Sequence, residues 1–186
     1  MDRRAFFATA AAAATTTLAA PAVSQSQWTL DPRFRAQRVA VRPGWTPGDI
    51  HVDPAMHHIY LIEEGDSAIR YGIAVGRDDL YVPGTFDVAR KAEWPSWTPT
   101  RNMIEREPDL YAQFADGVPG GPDNPLGARA LYLYRGGRDT YLRIHGTPQP
   151  WTIGSSVSSG CVRLLNDHII DLYERVPTGT TAVLHA

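Results

Sequence analysis

The sequence predicts a mostly β domain with one or two short helices, and three features lead there. Short runs rich in branched and aromatic residues recur along the chain, each closed by a turn signal. A complement of 15 prolines and 16 glycines in 186 residues punctuates it as a turn-rich architecture rather than a helix bundle. Only one stretch, 166–176, carries a clear helical periodicity.

The elements follow in order. The chain opens Met1-Asp2-Arg3-Arg4-Ala5-Phe6-Phe7, continues through a stretch rich in alanine and threonine to Ala20, and reaches small residues at Ala22-Val23-Ser24. A charged start, an apolar middle and a small-residue end make residues 1–24 an expected secretory signal. Arg3-Arg4 followed by Phe6 makes it a signal of the twin-arginine type, delivering the chain to the periplasm. Thr9 and Thr15 to Thr17 weaken the apolar stretch below what a membrane span needs, so no stable membrane insertion is expected after cleavage. Residues 25–47, interrupted by Pro32, Pro43 and Pro47, read as an extended lead-in, and 48–186 as the folded domain.

Within that domain, 57–63 is a strand closed by Glu64-Gly65-Asp66, and 67–75 is its hairpin partner. A third strand covers 84–89. A second hairpin joins 131–134 to 141–144 around Arg135-Gly136-Gly137-Arg138, and 181–184 closes the sheet. Between them lies a long irregular region, Glu93 to Gly127, with a short helix over 108–114. A connection of this length inside a compact domain carries function or is disordered, and its tryptophans argue against disorder. Trp94 and Trp97 are read as packing under that loop, with a lid over the site as the alternative. Asn166 is expected to cap the helix, which presents Ile169, Ile170, Leu172, Tyr173 and Val176 on one face.

A net charge of −2 without any basic run leaves no electrostatic footprint for nucleic acid. His51, His57, His58, His168 and His185 read as structural, because the adjacent pair His57-His58 would face opposite sides of a strand, and no metal is expected. The one cysteine, Cys161, is more informative. Exported chains usually pair their cysteines, so a single thiol is a buried apolar group, an intermolecular partner or a nucleophile.

Its neighbours favour the nucleophile. A thiol of ordinary pKa is only a few per cent thiolate at neutral pH and needs a base within hydrogen-bond reach. His145 ends a predicted strand, and the intervening segment with Pro148, Pro150 and Gly154 can loop back to it. Gly160 permits a sharp turn before the thiol, and backbone N–H groups from Ser159 to Cys161 suit an oxyanion. The planar fork of Arg163 suits a substrate carboxylate, or else pairs with a carboxylate such as Asp167. Read alone, Ser158 is a turn-stabilising hydroxyl.

His145-Gly146 followed by Ser158-Ser159-Gly160-Cys161-Val162-Arg163 resembles the motif of the L,D-transpeptidase (YkuD-type) catalytic domain. The resemblance extends through Pro83-Gly84-Thr85-Phe86 and 119–127, and covers roughly 49–184. It implies a β-sandwich of mixed strands and an enzyme that needs no cofactor. The substrates it implies are peptidoglycan tetrapeptide stems: an acyl-thioester forms with loss of D-Ala, and the acyl group passes to another stem, a lipoprotein lysine, a D-amino acid or water. It implies Cys161 as nucleophile, His145 as general base and acid, and the Gly146 carbonyl orienting the imidazole. The turn at Ser159 and Gly160 becomes the oxyanion site, Arg163 and Ser158 bind substrate, and carbapenems are covalent inhibitors. Many members carry histidine where this chain has Ser159, which leaves His145 as the one candidate base. A sortase shares the order of histidine, cysteine and arginine but spaces them more widely, and a catalytically dead wall-binding module would not need the intact set.

Overall fold

The computed structural model describes residues 28–186. The expected signal, 1–24, lies outside them.

Eleven strands run in chain order: β1 (Gln37–Ala40), β2 (Ile50–Asp53), β3 (His58–Glu63), β4 (Ser67–Gly72), β5 (Val75–Gly76), β6 (Gly84–Glu93), β7 (Arg129–Arg135), β8 (Arg138–His145), β9 (Ser156–Ser158), β10 (Val162–Arg163) and β11 (Thr181–Leu184). The helices are α1 (Arg101–Arg106), α2 (Pro108–Tyr111) and α3 (Asn166–Arg175), with short 3-10 turns between elements. Nine strands form one mixed sheet in the order β1-β4-β3-β2-β11-β6-β7-β8-β10, and β5 pairs with β9 in a small second sheet. The mostly β expectation therefore holds.

The large sheet comes back on itself. The chain leaving β4 makes a two-way backbone exchange with β10 at the far end: Ala74 N–H donates to the Arg163 carbonyl at 2.9 Å and Arg163 N–H to the Ala74 carbonyl at 2.8 Å. Both halves of the sheet consequently share one core, in which Ile50, Ile59 and Tyr71 meet Val88, Leu131, Leu133 and Ile144. One face of α3, carrying Ile169 and Leu172, packs into the same core. Burial of this kind stabilises by about 25 cal/mol per Å² of apolar surface removed from water.

Several expected elements are redrawn. The lead-in supplies a strand, β1, paired antiparallel with β4, and its Phe34 is buried. A side chain at Gly72 or Gly154 would overlap Phe34, so both glycines leave the space the ring occupies. The 67–75 run breaks after Gly72, because the next residues turn toward β10. The third strand runs on to Glu93, and β2, β9 and β10 were not anticipated. The 93–127 region is not wholly irregular: a backbone bridge between Trp97 and Val118 closes an excursion that contains α1, α2 and a 3-10 turn. Trp97 packs there against Tyr111 and Phe114, at ring centroid distances of 6.2 and 5.9 Å.

Asn166 does not cap α3. Leu165 occupies the cap position without a side-chain hydrogen bond. The Asn166 amide oxygen accepts instead from Ala128 N–H at 3.0 Å, tying the helix start to the strand that pairs with β8.

Candidate active site

Alternation along two strands sets the site. β10 pairs parallel with β8, Val162 against Ile144 and Arg163 against His145. Ile144 and Val162 point into the core, at 0% and 1% exposure. Period-2 alternation then turns Arg143, His145, Cys161 and Arg163 to the opposite face. From strand spacing and rise, the Cα atoms of Cys161 and His145 are about 8 Å apart, within reach of converging side chains.

The residues before Cys161 form a tight turn held by Ser158. Its hydroxyl donates to the Cys161 carbonyl at 2.5 Å and accepts from Gly160 N–H at 3.2 Å. Ser158 is buried and its hydroxyl is spent on the turn, so the substrate-binding role expected for it gives way to the turn-stabilising one. Gly160 has a φ of +117°, and a Cβ there would stand 2.8 Å from the Leu80 carbonyl. Only glycine satisfies both conditions. Gly160 N–H is engaged, whereas the N–H groups of Ser159 and Cys161 have no backbone or side-chain acceptor among the described residues and are the donors left at this turn. Ser159 is tied sideways, its hydroxyl 2.8 Å from that of Tyr111 on α2.

His145 is buried and its Nδ1 lies 2.5 Å from the Gly146 carbonyl. A carbonyl only accepts, so Nδ1 carries the proton and Nε2 is the basic nitrogen. Burial, with the Arg163 charge, lowers the imidazole pKa to about 3 despite that carbonyl and the Leu126 backbone favouring the protonated ring. Burial raises the Cys161 thiol, against the lowering influence of Arg143 and Arg163. Both groups are consequently neutral at rest, a thiol on Cys161 and an imidazole on His145.

Arg163 is the unmatched charge of the site. Its Nε is buried without a hydrogen-bond partner, and it belongs to no ion pair among the described residues. The alternative of an Arg163–Asp167 pair is therefore not realised. Burial lowers its pKa, and a half-buried guanidinium without an ion pair has hydrogen-bonding capacity that the described residues leave unused. The other cations nearby are occupied: Arg143 makes a bidentate bond to Asp139, and Arg77 pairs with Glu107 at 2.5 Å.

Four contributors went unnoticed in the sequence. Asn124, buried to 1% exposure, donates to the Val118 and Pro119 carbonyls and accepts from Leu126 N–H, shaping the loop whose Leu126 backbone faces His145. Tyr111, Asp139 and Tyr141 reach the site through tertiary contacts alone, and no spacing in the sequence announces them.

The chain matches the model of the YkuD L,D-transpeptidase catalytic domain over residues 47–184. The chain belongs to this family. Among the L,D-transpeptidase relatives, a putative L,D-transpeptidase of Fuscovulum blasticum is 39% identical over 123 residues, covering 66% of this chain and 60% of the relative. The probable L,D-transpeptidase YbiS of Escherichia coli K12 is 37% identical over 141 residues, covering 72% of this chain and 44% of the relative. The chain thus spans about half the length of these two curated L,D-transpeptidases. A solved structure described as a probable carnitine operon oxidoreductase from Brucella melitensis shares 53% identity, with a TM-score of 0.57, over 81% of this chain and 93% of that one. L,D-transpeptidase 3 of Mycobacterium tuberculosis shares the fold, with a TM-score of 0.55 at 15% identity over 74% of this chain and 60% of that one. An L,D-transpeptidase solved in complex with imipenem also shares it, with a TM-score of 0.50 at 16% identity over 73% and 57% of the two chains.

Proposed function

We propose that this chain is an exported, cysteine-dependent L,D-transpeptidase acting on peptidoglycan tetrapeptide stems. The observation that carries the reading is the parallel register of β10 on β8, which turns Cys161, His145 and Arg163 to one face.

The chemistry follows from the groups at hand. The Cys161 sulfur attacks the carbonyl of the third stem residue while His145 Nε2 takes the thiol proton. The tetrahedral oxyanion is stabilised by Cys161 N–H at the Gly160 turn. As the intermediate collapses, His145 returns its proton to the nitrogen of D-Ala, which leaves, and a thioester remains. An acceptor amine then attacks the thioester, losing its proton to His145, and the new amide departs with the thiol restored. The Gly146 carbonyl does the orienting that a carboxylate does in a Ser-His-Asp triad. Arg163 meets a stem carboxylate. The acceptor is an amine, from a second stem, a lipoprotein lysine or a D-amino acid, with water as the alternative, and the enzyme works in the periplasm after removal of residues 1–24.

Incubating the protein with a tetrapeptide-bearing muropeptide and an amine acceptor tests this. The expected products are free D-Ala and the amide, with a mass adduct on Cys161 when imipenem is added. Release of D-Ala by a Cys161→Ala variant would refute the mechanism, and free tripeptide in place of the amide would assign water as acceptor.

A further inference from the structure

The sulfur of Cys161 is held by the backbone of β8, at a defect in that strand. β7 and β8 pair in register from Ala130–His145 to Leu133–Leu142, then slip, so that Tyr134 faces Asp139. The slip leaves Thr140 and Tyr141 as a bulge, and Tyr141 takes a φ of +61°. A non-glycine residue rarely adopts that conformation, and an aromatic one only where its surroundings enforce it. The enforcement is visible. The Asp139 carboxylate accepts from Tyr141 N–H at 2.8 Å and holds the Arg143 guanidinium through both oxygens at 2.7 and 2.8 Å. Arg143 in turn lies over the Tyr132 ring at 4.1 Å and within 6.0 Å of the Tyr141 ring. Asp139 thus fastens the bulge at both of its ends.

The consequence is at the thiol. The turned peptide presents the Tyr141 carbonyl to Cys161, whose Sγ–H donates to it across 3.8 Å. The Tyr141 ring itself is 68% exposed, so it is not burial of the ring that holds the residue there.

We propose that Tyr141 is a positioning residue that acts through its backbone carbonyl, parking the Cys161 thiol in a protonated resting orientation directed away from His145. Asp139 and Arg143 are the clamp that keeps this carbonyl in place. The proposal deepens, and rests on, the reading of Cys161 as nucleophile. A hydrogen bond to the neutral form of an acid disfavours its ionisation, so the parked thiol reacts slowly with adventitious electrophiles and oxidants. Substrate entry releases the S–H from Tyr141, and its proton passes to His145 Nε2 as the carbon–sulfur bond forms. The charged groups that act on the sulfur are Arg143, Arg163 and Asp139, and substitution of Tyr141 changes none of them.

The test uses the whole protein at rest, without turnover, so its failure is separable from failure of the transpeptidase reading. With one cysteine in the chain, the Raman S–H stretching band reports Cys161 alone. In the wild type the band should be displaced to lower frequency relative to a free thiol. Tyr141→Gly, which accepts a positive φ, should keep that displacement and the slow alkylation by iodoacetamide. Tyr141→Val, whose branched side chain resists this conformation, should lose the displacement and alkylate about tenfold faster at pH 7, one unit of thiol pKa. A wild-type band at the free-thiol position would overturn the proposal even if the valine variant failed to fold. So would glycine and valine variants that alkylate at equal rates, which would assign the effect to the ring.

Discussion

Arg163 lies directly across from His145 in the parallel pairing of β10 with β8, a half-buried cation beside a buried imidazole, and it belongs to no ion pair among the described residues. The arrangement keeps His145 neutral, since the Arg163 charge adds to burial in disfavouring the imidazolium. It also leaves one guanidinium, at the edge of the reaction centre, ready for an anion that the protein does not supply.

Removing that charge should separate activity from stability. Arg163→Met is expected to lower kcat/KM for a tetrapeptide donor by roughly 10- to 100-fold, the worth of a charge-assisted hydrogen bond. Because a half-buried charge without an ion pair costs folding energy, the same variant should melt no lower than wild type. Donor kinetics set beside a thermal melt check both halves. A fall in Tm with unchanged kcat/KM would make Arg163 a structural residue.

His145 should make folding sensitive to acid. Its pKa is lowered from the ordinary 6.5 to about 3 in the folded state. Below pH 6.5 the unfolded chain binds a proton that the folded chain refuses, so stability falls as pH drops from 6.5 toward 3 and is unaffected above. His51, His57, His58 and His168 are lowered too and contribute in the same direction. Replacing His145 with Gln should reduce the slope of unfolding free energy against pH by up to one proton in that window, read from urea titrations. The rate of acylation by imipenem should show no acid limb between pH 5 and 8.

Gly146 is packed too closely to accept a side chain. A Cβ would stand 2.3 Å from the Asn166 amide oxygen that accepts from Ala128 N–H, and 3.0 Å from Ile169. Gly146→Ala should cost about 1–3 kcal/mol through overpacking. Gly121→Ala, with nothing within 4 Å and no positive φ, should stay within about 0.5 kcal/mol. Chemical denaturation of the two variants in parallel makes the comparison.

The excursion over 100–117 is fastened to the cysteine loop by Tyr111 on Ser159 and to the residue after β5 by Glu107 on Arg77. Tyr111→Phe removes the first tie without changing shape, at a cost of about 1 kcal/mol. Hydrogen exchange should quicken across 100–117 while β7 and β8 keep their protection. Unchanged exchange would show that the Trp97, Tyr111 and Phe114 cluster and the Glu107–Arg77 pair hold the excursion without the Ser159 tie.

Much of this was legible in the residues themselves. The strands of the two hairpins and the helix after Asn166 are local features, announced by branched and aromatic runs, turn glycines and helical periodicity, and they form where expected. Cys161, His145 and Arg163 were readable from their spacing because a strand, a flexible loop and a glycine turn are enough to let the three meet. Asn166 was misread for an instructive reason. As a short polar residue before an apolar periodic stretch it has the chemistry of a cap, but a tertiary acceptor role toward Ala128 competes for the same oxygen and prevails.

What the sequence by itself determined, then, was the chemical inventory and the local conformations, since both depend on residues close together along the chain. Tertiary structure alone decided how the sheet closes, through the exchange between Ala74 and Arg163, and which cations are spent. Arg143 and Arg163 are the same residue type two positions from a site residue each, and nothing local tells them apart. Asp139 reaches only the first, because a bulge in β8 brings its carboxylate there, so the second is left bare where a substrate carboxylate can meet it.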